Sequence, residues 1–183
     1  YIYQQSMTNY DMSIAPGRTY KYYNEIKYGK VLYPFGYGLS YTNFQLQCFS
    51  TDLTSSLNNQ ISFIMKANDD NDDDDDKTYS ISCSLQNIGN KYSGDEIIMV
   101  YHNVSSEIRS EANHPIPLKA LVDFDRYSNI NIQELITISY VFNQSIFNVI
   151  DENGQDKLYN GVHTLIFTNG VSETVELSYD IQN

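Results

Sequence analysis

The chain has 183 residues and a mass of 21.1 kDa, enough for one large domain or a small domain plus part of another, and too little for a complete large hydrolase. Its 11 Lys+Arg against 23 Asp+Glu give a net charge of -12, which excludes nucleic acid as a partner, because a phosphate backbone is met by a basic stripe. No apolar run approaches the roughly 20 residues that cross a bilayer, so no membrane partner is expected either.

The chain opens on Tyr1 within YIYQQS, which has neither the basic nor the apolar region of a signal peptide, and a start inside a longer polypeptide is expected. Residues 1–42 hold ten of the 17 tyrosines and four of the nine glycines. Pro16-Gly17, Gly29, Pro34 and the Gly36-x-Gly38 pair leave no room for a long helix or strand between Ala15 and Ser40. This stretch reads as an aromatic-rich interdomain linker that ends a preceding domain. Its rings would stay exposed unless another surface covered them, so an upstream surface is expected.

From Thr42 the apolar period becomes two. Phe44, Leu46 and Cys48 alternate with polar residues, as do Ile61, Phe63 and Met65, and then Tyr79, Ile81, Cys83 and Leu85 before an Asn87-Ile-Gly89-Asn90 turn. Further strands are predicted at Glu96–Val104, Leu118–Phe124, Gln133–Phe142, Phe147–Ile150, Val162–Phe167 and Glu173–Tyr179, with a tight turn at Asn153-Gly154 and no helical period of helix length. Residues 43–183 thus read as an all-β, antiparallel sandwich of the immunoglobulin or fibronectin type III kind.

Seven aspartates, Asp69, Asp70 and Asp72 to Asp76, lie within an acidic low-complexity insertion at 68–76. Without them the balance is 11 minus 16, or -5, so most of the acidity is one insertion. The tract lacks the ligand spacing and glycine of an EF-hand, and the expectation is a solvated loop rather than a calcium site.

Candidate chemistry is sparse. His102, His114 and His163 have no partner at metal-ligand spacing and read as surface or edge residues, so no metal and no cofactor is expected. Asp95, Glu96, Asp123, Asp125, Asp151 and Glu152 flank turns or strands and read as solubilising and turn-forming groups rather than a hydrolytic pair. Cys48 and Cys83 fall on the apolar side of their strands, where a cross-strand bridge and buried free thiols both stand, and the demands of disulfide geometry favour thiols. Asn103-Val-Ser105 and Asn143-Gln-Ser145 are acceptor sequons for N-glycosylation.

Three segments carry a resemblance: Met7-Thr-Asn-Tyr-Asp-Met12, Pro16-Gly-Arg-Thr-Tyr20 and Leu32-Tyr-Pro-Phe-Gly-Tyr-Gly-Leu-Ser-Tyr-Thr42. They resemble the joint between the catalytic core and the C-terminal fibronectin type III-like domain of family 3 glycoside hydrolases. Pro115-x-Pro117 with Lys119, Leu121, Phe124 and Arg126 resembles a later segment of that domain, and Val149–Gly154 with Gly161–Leu165 is most similar to its β-xylosidase branch. Asp123 in place of a usual Gly, and Tyr37 where His is common, are departures.

The resemblance implies a non-catalytic, stabilising end of an exo-acting β-xylosidase or β-glucosidase. Its oligosaccharide would be met only through the parent enzyme, which would be retaining and secreted or lysosomal. The family's Asp nucleophile, usually followed by Trp, and its acid/base Glu do not map onto this Trp-free chain. Arg18, Tyr20, Tyr33, Phe35, Gly36, Gly38 and Tyr41 are then the residues expected to dock the linker on upstream catalytic domains of the same polypeptide. The competing reading is a freestanding sandwich that binds carbohydrate or protein.

Overall fold

The computed structural model describes residues 10–15, 17–51, 62–64 and 77–182. Its first strand is β1 (Phe44–Ser50), in which Phe44, Leu46, Cys48 and Ser50 are buried and Gln45, Gln47 and Phe49 are exposed. It is followed by β2 (Ser62–Ile64), β3 (Thr78–Asn87), β4 (Gly94–Val104), β5 (Ala120–Ile130), β6 (Leu135–Asn143), the two-residue pair β7 (Val149–Ile150) and β8 (Asp156–Lys157), β9 (Gly161–Thr168) and β10 (Thr174–Ile181).

The strands form a three-stranded sheet in the order β1-β3-β6 and a five-stranded sheet in the order β2-β10-β9-β4-β5. The pairings are antiparallel except between β2 and β10, which run parallel. The inward faces of the two sheets meet in one core of Phe44, Leu46, Ile81, Leu85, Ile98, Val100, Leu165, Phe167, Leu177 and their neighbours. Tyr79 packs edge-on against Phe147 at 4.9 Å and Tyr179 at 5.2 Å between ring centroids. Each such buried ring stabilises the fold by roughly 1.5–3 kcal/mol relative to its exposure. The chain is the expected fibronectin type III-like sandwich.

Three sequence expectations change. Cys48 and Cys83 are not free thiols: they face each other directly in the β1–β3 register, with 4.0 Å between Cα atoms, and form a disulfide. Their directly opposed register supplies the cross-strand proximity that a bridge requires. His102 and His163 are not surface residues; both are buried, His102 5% and His163 0% exposed, because they share the inward register of their strands with Val100 and Val104 and with Leu165 and Phe167. β5 does not stop at Phe124 but runs on to Ile130, paired with β4 across two bulges.

The period-two reading also passed over α3 (Ser106–Glu111), a six-residue helix that Ser105 caps by accepting the Ile108 N–H. Helices that short leave little periodic signal. The strand predicted from Phe147 starts two residues later, after a 3-10 turn over Gln144–Phe147. The Asn153-Gly154 turn is present, with Asp151 accepting the N–H groups of Asn153 and Gln155. Ile61, Met65 and the tract at 68–76 lie outside the described residues.

Candidate functional site

The segment before β1 is a strap laid against the five-stranded sheet. Backbone bonds from Gly17 to Ile14 and from Arg18 to Met12 fold its first turn. Two one-turn helices follow, α1 (Thr19–Tyr22) and α2 (Glu25–Tyr28). Asn24 caps α2 by accepting the Lys27 N–H at 3.0 Å, and Gly29 ends it at a φ of 94°. A turn in which Tyr37 N–H bonds to Pro34 O then carries the chain towards β1.

Three contacts hold the middle of the strap to the sandwich. Tyr20 packs on Tyr101 of β4 at 5.5 Å, and Lys119 covers that ring at 4.7 Å. The Lys21 carbonyl accepts the Leu118 N–H. At the Pro34 turn, Gly36 has φ of 96°, and a Cβ there would come within 2.6 Å of the Asn169 carbonyl oxygen. Gly170 faces it from the β9–β10 turn, where a Cβ would overlap the Phe35 carbonyl. The two backbones cross here only because both residues lack side chains. Gly38 is also left-handed at 82°, but nothing lies within 4 Å of it.

A polar cluster fixes the β9–β10 turn under that crossing. Asn169 Oδ1 accepts the N–H groups of Val171, Ser172 and Glu173, while its Nδ2 donates to the buried Glu96 carboxylate at 3.1 Å. Burial pushes the Glu96 carboxyl above its usual range. Glu173 reaches the other sheet, accepting the Leu46 N–H at 3.1 Å. At the far end of the strap, buried Asn87 accepts from Thr42 Oγ1 and Gly89 N–H and donates to the carbonyls of Tyr92 and Ile130. The Asn-x-Gly turn read from sequence is thus the clasp that holds the strap's last residue.

Between strap and sheet lies a cavity of about 1010 Å³ that Arg18, Tyr20, Asn103, Arg109 and Glu176 help to line. Arg109 is half-buried and bonded not to a carboxylate but to the carbonyls of Ile116, Pro117 and Leu118 and to Asn103 Oδ1. Burial lowers its pKa. The acidic lining residues Glu25 and Glu176 are both exposed, and neither has the apolar burial that sets a general acid apart from its partner base.

The strap leaves much apolar surface in water. Tyr33 is 69%, Phe35 66% and Tyr41 96% exposed, with Ile26, Leu32, Tyr37 and Leu39 exposed beside them. The predicted docking set is therefore divided: Tyr20 and Gly36 meet the chain's own sandwich, Tyr33 and Phe35 edge the cavity, Phe35 with its ring 6.3 Å from that of Tyr20, yet keep most of their surface in water, and Tyr41 is almost wholly exposed. Among the candidate carboxylates, Asp95 pairs with Arg126, Asp151 builds its turn as read, and Glu96 is a buried structural acceptor rather than a solubilising group.

Sequence reasoning missed the His102–His163 pair. His163 Nε2 donates to the Tyr159 carbonyl at 2.8 Å, so its Nδ1 accepts from His102 Nε2 at 2.9 Å. Desolvation, with the neighbouring His163 and Arg109 adding to it, lowers His102 to about 3, and burial lowers His163 too. Continuing the inward alternation of Ile98 and Val100 by one step would have found it.

No family model matches the chain. It is 32% identical over 136 residues to a β-glucosidase of Kluyveromyces marxianus, covering 69% of this chain and 13% of that enzyme. It is 27% identical over 161 residues to an exo-1,4-β-xylosidase of Emericella nidulans, covering 88% of this chain and 19% of that protein. The crystal structure of the Kluyveromyces marxianus β-glucosidase superposes with a TM-score of 0.61 at 22% identity, over 87% of this chain and 16% of that one. The Listeria innocua β-glucosidase bound to glucose gives 0.59 at 19% identity, over 85% and 18%. The chain thus spans less than a fifth of the length of these relatives.

Proposed function

The chain is a region of the family 3 glycoside hydrolase kind, matching a C-terminal part of those enzymes, and on that premise we propose that it is the non-catalytic supporting end of an exo-acting β-glycosidase. The parent would cleave O-glycosyl bonds of β-xylosides, xylo-oligosaccharides among them, or of β-glucosides, in line with relatives named as an exo-1,4-β-xylosidase and a β-glucosidase. The observation that carries the reading is the exposed aromatic surface of the strap. Tyr33, Phe35 and Tyr41 leave large apolar area in water, a cost that a covering surface removes.

Because the chain spans only 13% to 19% of the curated relatives' length, the remainder of such an enzyme is the surface that fits. The catalytic domains of the same polypeptide would lie on the strap, and the sandwich would hold the strap in place through Tyr20, Gly36 and the Asn87 clasp. The disulfide supports a secretory route for the parent.

The test has two arms. Residues 1–183 alone are expected to leave aryl β-xylosides and β-glucosides intact, and hydrolysis at an enzyme-like rate would overturn the proposal. In the longer polypeptide, the triple change Tyr33→Ser, Phe35→Ser and Tyr41→Ser is expected to lower the thermal midpoint of glycosidase activity with KM unchanged. In the isolated chain the same changes should cost no more than about 0.5 kcal/mol per site.

A further inference from the structure

The structure assigns different fates to the two N-glycosylation sequons: we propose that the folded, secreted chain carries an N-linked glycan on Asn143 and none on Asn103. Asn103 lies within β4, which is paired on both sides, opposite Thr164 of β9 and next to the His102–Ala120 pair with β5. Its carboxamide oxygen accepts from Arg109 at 2.7 Å, the contact that helps hold the 116–118 carbonyls in place. The sequon's hydroxyl is also in use, since Ser105 caps α3. A glycan on Asn103 would have to project from the half-buried wall of the cavity under the strap.

Asn143 is the opposite case. It is exposed, ends β6, and precedes a 3-10 turn in which Ser145 is exposed too. Its side chain enters no hydrogen bond among the described residues.

The surface around Asn143 also suits a sugar. Among the described residues β6 pairs only with β3, and β5 only with β4, so each sheet has a free edge, and the two edges lie on the same side of the sandwich. They are tied together by the Tyr127–Tyr140 hydroxyl contact of 3.2 Å. Near Asn143 these edges form a groove of about 520 Å³ lined in part by Val122, Val141, Asp123 and Asp156. Val141 is 65% exposed. A pyranose has an apolar C–H face and a polar periphery, which suits a lining that mixes valines with carboxylate acceptors. A glycan seated there shields two strand edges that otherwise invite pairing with another chain. This groove shares no lining residue with the cavity under the strap.

The test is secretion of the full chain from a eukaryotic host behind an appended leader, followed by enzymatic glycan release in heavy-oxygen water and peptide mapping. The label is expected at Asn143 and not at Asn103, and the intact protein should show one glycan-sized mass step. That step should vanish in Ser145→Ala and persist in Asn103→Ser. An unlabelled Asn143, or a label at Asn103 in the folded material, overturns the assignment. The mapping is done on the unaltered chain, so it stands even if a variant fails to fold. Native removal of the glycan is expected to raise binding of an apolar dye, and unchanged dye binding would overturn the shielding.

Discussion

The strap and the sandwich use the same residue type to opposite ends. Tyr79 and Tyr179 of the sandwich are 0% exposed, whereas Tyr10 is 89% and Tyr41 96% exposed in the strap. What differs is not the chemistry of the ring but the backbone that presents it. A strand places every second residue on one face, so two sheets can pool their inward rings into one core. The strap's glycines and prolines break any such period, and its rings have only whatever surface comes to them. Aromatic burial is thus a property of periodic neighbours, and an aromatic segment without period is a segment waiting for a partner.

The comparison can be broken most severely from the sandwich side. Changing Cys48 and Cys83 together to Ala opens a crosslink with a sequence separation of 35, which by loop-closure entropy should cost about 3–4 kcal/mol. Urea unfolding followed by far-UV circular dichroism measures it, and a loss confined to the strap would mean that the bridge does not hold the core. Asn87→Ala strikes the joint between the regions. It removes four hydrogen bonds from a fully buried side chain, and the expected loss is about 2–3 kcal/mol with simultaneous loosening of the strap's last residue.

Gly36→Ala should separate the two regions. The strained crossing is expected to cost about 1–3 kcal/mol of strap docking. Amide exchange at Leu118, whose N–H is held by the Lys21 carbonyl, should accelerate while the core strands keep their protection.

The smallest effect near neutrality comes from the buried histidines. His102 titrates near 3 in the folded chain against an ordinary 6.5, so across that window the unfolded chain takes up a proton that the folded chain refuses. Stability should therefore fall as pH drops from about 6.5 towards 3, and His163 acts in the same direction. Glu96 opposes this, since its raised pKa makes the folded chain protonate first. Unfolding of His102→Gln at pH 7 and pH 5 isolates the histidine contribution, because Glu96 is the same in both chains. A variant that loses as much stability as the parent on acidification would refute it.

Much of this could be read from residues alone. The alternation in Phe44-x-Leu46-x-Cys48 and Tyr79-x-Ile81-x-Cys83-x-Leu85 marks two strands and their inward faces, because the side-chain period of a strand is local and needs no partner to be legible. The strap's lack of period and its Gly-Pro punctuation are local in the same sense. By itself, then, the sequence determined an aromatic, irregular lead-in followed by a β-sandwich, and its string Leu32–Thr42 pointed to the family.

Register and aim were decided only by the tertiary structure. Alternation says that Cys48 and Cys83 are inward but not that they stand opposite each other. Their bond waited on the pairing of β1 with β3 across a long insertion. The same holds for His102 against His163, for Glu96 beneath the Asn169 turn, and for which of the strap's rings rest on the sandwich and which stay in water. Each depends on which strands become neighbours, and that choice is made by the whole core at once, through contacts between residues far apart in the chain.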